Sequence, residues 1–409
     1  MPENDDLRLK RTIEILGELV AFDTTSALSS EVAKPNRPLI DFVRNFLEKL
    51  GIASTIVATE DQPGKACLWA TIGPDSKEGG IVLAGHTDVV PVQRDRWQSD
   101  PFTLTERDGK LYGRGACDMK AFIACALSFI EDRAINQRLG QLKAPLRLAL
   151  TYDEEITMAG AQRLTEWLQE QGMRPSWVWI GEPTTMRIVD AHKGVAEYNV
   201  EITGKACHSG LPHLGVSAIA CACEIAQSIA AKQAEKQSLP FANSRFAPPY
   251  TTFNVGKIEG GQAANIVAGS CRMAWQVRIH PGDETAQTLR QSIETKTTKK
   301  WGKIFAEFPG TGLKTTTVCD IPPLEPTPEN PASAALETAL GGKPQTVSFA
   351  TEGGIFQKIA APQQTPIVIC GPGDIAVAHS DHEHVTKDQL ALCLDAMDKV
   401  FCAAPTKKK

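Results

Sequence analysis

Apolar residues along this chain fall into two kinds of stretch, and their alternation is the first clue to the fold. Short, continuous, branched runs over 53–59, 67–72, 81–84, 146–152 and 177–180 predict strands covered on both faces. Between them, helical spacing from Leu7 to Phe22, from Pro38 to Leu50 and from Ala159 to Gln171 predicts amphipathic helices, the second stopped by Gly51. The segment from Met119 to Ile130 is apolar nearly all round and predicts a buried helix. Strands alternating with helices imply an α/β layer structure around a largely parallel sheet.

After about Arg187 the pattern changes. The segment 195–202 alternates like a half-exposed strand, followed by an amphipathic helix over 216–232, strands over 251–258 and 271–279, and a helix over 284–299. That order predicts a small two-layer α+β unit with one sheet face in water. From Ile321 the chain is rich in proline (Pro322, Pro323, Pro326, Pro328). The α/β character then returns through Phe349, 367–370 and a closing helix over 387–403. The middle therefore reads as an insert. Residues 1–187 and 321–409 form one domain that is discontinuous in sequence, and 188–320 form the inserted one.

Composition excludes more than it assigns. A chain of 409 residues has room for two domains, and a net charge of −5 argues against a nucleic-acid surface. No apolar run approaches the roughly 20 residues of a membrane span. The acidic, polar start Met1–Asp6 is no secretory signal, and Lys407–Lys409 reads as a frayed, solvated tail. Eleven cysteines without a CxxC pair, several of them in apolar stretches (Cys125, Cys221, Cys370), suit reduced thiols in a cytoplasmic protein.

Candidate chemistry gathers where the strands end. His86 closes the run 81–84 within Gly85-His86-Thr87-Asp88-Val89-Val90-Pro91. Asp118 sits in the glycine-punctuated Gly113-Arg114-Gly115-Ala116-Cys117-Asp118-Met119-Lys120, just before the buried helix. Asp153-Glu154-Glu155, Gly181-Glu182-Pro183 and Ala378-His379-Ser380-Asp381 repeat the arrangement. Five strand ends bearing a histidine or a carboxylate point to a metal centre assembled from loops. Asp118 suits a bridge between two cations. Asp88, two residues after His86, is placed to accept the second imidazole proton and so orient the ring. Glu154 and Glu155 diverge at a strand end, so one can bind metal while the other shuttles a proton from an activated water.

These motifs, with Trp97, Asp100-Pro101-Phe102, Cys207-His208-Ser209 and the stretch from Gly215, resemble over nearly the whole chain one co-catalytic di-zinc family. That family holds the acetylornithine deacetylases, succinyl-diaminopimelate desuccinylases, aminoacylases and related carboxypeptidases. The resemblance implies a zinc-peptidase-like three-layer catalytic domain and an inserted two-layer, ferredoxin-like dimerisation and lid domain. It also implies two divalent ions, zinc or alternatively cobalt. One would be held by His86, Asp118 and Glu182, the other by Asp118, Glu155 and His379, with Glu154 as general base and then acid. In the insert, His208 would reach the partner subunit's site and stabilise an oxyanion, and Asn265 and Arg278 would hold the substrate carboxylate.

The C-terminal segments Ala350–Phe356, Cys370–Asp374 and Ala378–Glu383 are similar to the deacetylase subgroup rather than the desuccinylases, as is Cys117 beside Asp118. There Glu352 would bind a basic side-chain amine, or else cap a helix. The expected activity is hydrolysis of an N-acyl amino acid, N2-acetyl-L-ornithine, in arginine biosynthesis. The expected assembly is a homodimer joined through the insert. Gly210, where the family carries Ser or Thr, and Ala268, where it carries Pro, are departures. His382 and His384 lie close enough to His379 to leave His382 as the alternative ligand.

Overall fold

The computed structural model describes residues 2–58, 60, 62–136 and 138–402. Thr59 and Ala403, at the ends of two expected elements, lie outside them, as does the Lys407–Lys409 tail. The chain divides into two compact units. One comprises Met1–Ala191, Pro326–Gln345 and Thr351–Lys409, and the other His192–Glu325 and Thr346–Ala350.

The first unit is built on an eight-stranded mixed sheet. Its order is Ser54–Ala58, Ala66–Ile72, Leu146–Thr151, Ile81–His86, Trp177–Pro183, Ile367–Gly371, Val189–His192, Gln345–Val347. The four strands from Leu146–Thr151 to Ile367–Gly371 run parallel to their neighbours, and antiparallel pairings flank them. Every residue of Leu146–Thr151, Trp177–Pro183 and Ile367–Gly371 is buried, the signature of strands covered on both faces. The helix Lys120–Ile135 is buried nearly all round and packs with Pro2–Val20, Arg37–Lys49 and Lys387–Cys402 in one apolar core. A separate three-stranded sheet of Thr105–Arg107, Lys110–Tyr112 and His384–Thr386 joins distant parts of the chain.

The second unit is a four-stranded antiparallel sheet in the order Thr252–Gly260, Ser270–Ile279, Gly194–Thr203, Gly312–Ile321. Helices Ala218–Ser238 and Ala286–Glu307 share its apolar core. Burial alternates residue by residue along Gly194–Thr203 and Ser270–Ile279, so one sheet face is solvated. The polar strand Gly312–Ile321 carries no apolar run and escapes a reading from hydrophobicity. Its presence completes a strand-helix-strand-strand-helix-strand order. Where the sequence places the insert at 188–320, the unit runs His192–Glu325, because Val189–His192 belongs to the large sheet and Leu324 bridges back to His192. Phe349, read from sequence with the catalytic layer, lies in the Thr346–Ala350 segment of the second unit. Among the described residues no helix is long and apolar enough to cross a membrane.

Candidate metal centre

The parallel strands deliver their C-terminal ends to one place, the position where open α/β sheets bind ligands. Glycine makes this packing possible: a Cβ on Gly181, the residue before Glu182, would stand 1.8 Å from the Phe122 ring. Only a bare backbone lets the strand lie that close to the buried helix.

His86 is fully buried, with Nδ1 3.0 Å from the Asp88 carbonyl oxygen. A carbonyl only accepts, so Nδ1 donates a proton to it, and Nε2 is the nitrogen turned toward Asp118. The carboxylate of Asp88 was expected in that role, but its Oδ1 is 3.6 Å away. It accepts instead from the Ser26 hydroxyl at 2.8 Å and from the backbone N–H groups of Glu154 and Glu155 at 3.1 and 3.3 Å. Asp88 thus fixes the turn that carries the paired glutamates, and Ser26, which sequence reasoning passed over, helps to hold it.

Asp118 stands between the two imidazoles. Its Oδ1 is 3.1 Å from His86 Nε2 and its Oδ2 3.3 Å from His379 Nε2. His379 Nε2 is also 3.0 Å from Glu155 Oε2, and Glu182 Oε1 is 3.9 Å from His86 Nε2. Candidate ligand atoms of His86, Glu154 and Glu182 lie within 4.8 Å of one another, and so do those of His86, Asp118 and Glu155. His382 turns elsewhere: its Nδ1 is 3.0 Å from Asp381 and its side chain is 63% exposed.

The electrostatics ask for positive charge. Burial pushes Glu154 and Glu182 well above the ordinary carboxylate range, with neighbouring carboxylates adding to the effect. Glu155 is pushed up to about 7 by burial and by Asp118. Burial would raise Asp118 too, but its hydrogen bonds with His379 and His86 hold it low. Glu182 Oε1 is buried without a hydrogen-bond partner. Crowded carboxylates, an orphaned oxygen and two imidazole nitrogens turned toward them form the donor set that a divalent cation satisfies.

Glu352 opens the short helix Gly353–Phe356 and is fully buried, pushed up to about 7 by that burial. Neither carboxylate oxygen has a hydrogen-bond partner, and the nearby Thr151 hydroxyl turns to the Gly85 carbonyl at 3.5 Å. It makes no side-chain cap, and its charge raises both Glu154 and Glu182.

The second unit holds the remaining candidates. His208 is exposed, and its Nδ1 accepts the Gly210 N–H at 3.0 Å, so the departure at Gly210 still forms a closed turn. His208 bridges to Ile266, and the Ser209 N–H donates to the Asn265 carbonyl at 3.0 Å, which places His208 and Asn265 on one edge. Arg278 is half-buried near the far end of Ser270–Ile279, roughly 26 Å of strand from Ser270 at 3.3 Å per residue. The structure therefore brings His208 and Asn265 together, and sets Arg278 toward the end of its strand away from Ser270.

Comparison with known proteins places this geometry among relatives. The family model described as peptidase family M20/M25/M40 matches residues 82–402. An acetylornithine deacetylase of Proteus mirabilis (strain HI4320) is 34% identical over 406 residues, covering 98% of this chain and 100% of the relative. One from Myxococcus xanthus is 37% identical over 394 residues, covering 92% and 93%. Among solved structures, an M20 family metallo-carboxypeptidase from Sulfolobus solfataricus superposes with a TM-score of 0.72 at 17% identity, covering 95% of this chain and 98% of that one. A Bacillus subtilis protein described as a dinuclear metal binding peptidase of the M20 family gives 0.61 at 17% identity, covering 97% and 98%.

Proposed function

This chain belongs to peptidase family M20/M25/M40 and is a metal-dependent amidohydrolase, and on that premise we propose that it removes the acetyl group from N2-acetyl-L-ornithine. The products are L-ornithine and acetate, a step of arginine biosynthesis. The observation that carries the reading is the Asp118 carboxylate, whose two oxygens face two separate imidazoles amid buried, unneutralised acids.

In this reading His86, Asp118 and Glu182 hold one cation, and Asp118, Glu155 and His379 hold the other. Zinc is the proposed ion, with cobalt as its substitute. Divalent ions supply Lewis acidity there, polarising a carbonyl and making water nucleophilic at neutral pH. Glu154 is the general base and then the acid. It takes the proton of the attacking water on its carboxylate and delivers it to the departing amine nitrogen. Asp88 serves by anchoring the Glu154 and Glu155 amides and orienting His86 through its carbonyl.

Glu352, buried with two unpartnered oxygens, is assigned to the cationic side-chain amine of ornithine. Arg278 and Asn265 are assigned to the substrate carboxylate, and His208 to the oxyanion of the tetrahedral intermediate. We assign the working form to a homodimer joined through the inserted unit, in the cytoplasm, with His208 serving the partner subunit's site.

A substrate panel tests the proposal. N2-acetylornithine is expected to give kcat/KM at least tenfold above N-acetylmethionine, N-succinyl-diaminopimelate and a dipeptide. A higher value for any of those three would reassign the substrate within the same class.

A further inference from the structure

The centre has a carboxylate that the reaction does not use. Glu383 lies four residues beyond His379, is 1% exposed, and spends its own oxygens on backbone amides and a guanidinium. Those oxygens are spent on the opposite loop. Oε1 accepts the backbone N–H groups of Cys117 and Asp118 at 3.0 and 3.1 Å, and Oε2 accepts from Arg114 Nη1. The Glu383 carbonyl takes the Gly113 N–H at 3.2 Å. The turn from Gly113 to Asp118 is therefore wrapped around a single residue from the far end of the chain.

Arg114 completes the arrangement. The residue is 3% exposed, its guanidinium lies 5.3 Å above the Trp97 ring, and its backbone N–H donates to the Pro101 carbonyl at 2.8 Å. A buried carboxylate with three donors and a buried guanidinium neutralise each other, whereas either one alone would be an unpaired charge in an apolar setting. A neutral acceptor would serve the two amides but would leave Arg114 without its counter-charge.

What the arrangement controls is the Asp118 backbone. Asp118 has to point Oδ1 at His86 and Oδ2 at His379, and small displacements of a shared ligand spoil both directions at once. Glu383 grips the Asp118 amide and stands on the same segment as His379, so it sets the spacing between two donors that the sequence separates widely. We propose that Glu383, neutralised by Arg114, is a positioning residue that holds Asp118 and His379 in register for two cations. This inference rests on the reading of Asp118 as the shared ligand.

The test is calorimetric titration of metal-stripped full-length protein with Zn2+ and with Co2+, alongside steady-state kinetics of the reloaded enzyme. The wild-type chain is expected to take two ions. Glu383→Gln is expected to bind at least one of them about 10- to 100-fold more weakly, with kcat reduced and KM within threefold of wild type. An isotherm for Glu383→Gln that matches wild type overturns the proposal, even if melting temperatures fall, because a plain structural staple gives that result. Should Glu383→Gln fail to fold, Arg114→Lys carries the test. It keeps the charge but loses the planar reach, and wild-type affinity for both ions in that variant overturns the proposal too. A wild-type chain that binds no divalent ion would instead sink the metal-centre reading itself, so the two failures are distinguishable.

Discussion

The two units of this chain solve the same packing problem in opposite ways, and the contrast explains where its chemistry sits. In the first, the central strands are buried on both faces, and apart from Arg147 their charged side chains and histidines stand where a strand ends. In the second, burial alternates along each inner strand, so charged residues line a solvated face as a matter of course. A histidine or carboxylate inside the first unit is expensive and must be matched, whereas a histidine on the second is free to remain in water. The first unit is therefore built to hold ions and the second to present groups at its surface.

The largest effect expected from breaking this contrast lies at Glu154. Glu154→Gln keeps the shape of a strand-end residue but removes its proton acceptor. Turnover should fall by about 10²- to 10⁴-fold, while the bound metal, measured by elemental analysis, stays at the wild-type level. Unchanged turnover would mean that the proton moves through another group.

Core truncation comes next, and it sharpens the comparison by treating both units alike. Leu148 in the large sheet and Ile225 in the helix Ala218–Ser238 are both buried to within about 1% of full coverage. Truncating either to alanine should cost about 2–5 kcal/mol, read by chemical denaturation. Only Leu148→Ala should also weaken ion binding, because its strand leads directly into the turn of Glu154 and Glu155. Weakened ion binding in Ile225→Ala would show that the units are not separable in this sense.

A smaller effect is expected at the polar anchor of the second unit. Asp283 accepts from Lys236 Nζ at 2.6 Å and from the Thr251 hydroxyl. Burial opposes the charge on Asp283, but these partners hold its carboxyl below the ordinary range, and Lys236 is raised in turn. A depressed carboxyl pKa contributes stability above the unfolded value near 4, and that stability is lost as pH falls through the folded pKa. A raised lysine pKa contributes below the unfolded value near 10 and is lost as pH rises through the folded one. Asp283→Asn should therefore cost about 2 kcal/mol near neutrality, and the gap from wild type should narrow in acid. A gap that persists at pH 2 would assign the loss to packing rather than to charge.

The same contrast governs how much of the molecule was legible in its sequence. Strand ends bearing His86, Glu155 and Glu182 stand out because continuous apolar runs make any polar residue there conspicuous, and Asp118 stands out in its glycine-punctuated turn before a buried helix. Glu383 and Arg114 sat inside recognised motifs, yet nothing local ties residues 269 positions apart, and only the fold shows them paired. Asp88 was read as the partner of His86, whereas the backbone carbonyl of the same residue takes that role, a distinction that spacing alone does not hold. The strand Gly312–Ile321 was invisible for a different reason: as a polar edge exposed or partly exposed at every residue before Ile321, it lacks the hydrophobic period that marks its neighbours.

The smallest effect concerns two histidines three residues apart, which sequence could not rank. His379 occupies a left-handed backbone position, φ 60°, which turns its ring onto Asp118 and Glu155. The His382 side chain faces solvent, with its Nδ1 3.0 Å from the exposed Asp381. An ion pair on the surface is screened and loosely held, so His382→Ala should leave the melting temperature within experimental scatter. It should also leave the affinity for both cations within twofold of wild type. His379→Ala, by contrast, removes a nitrogen from the centre of the carboxylate group and should weaken one ion at least tenfold. The pair of variants, titrated side by side with Zn2+, turns an ambiguity of sequence into a ratio. A ratio near one, or an ion lost from His382→Ala, would move the ligand three residues along the chain.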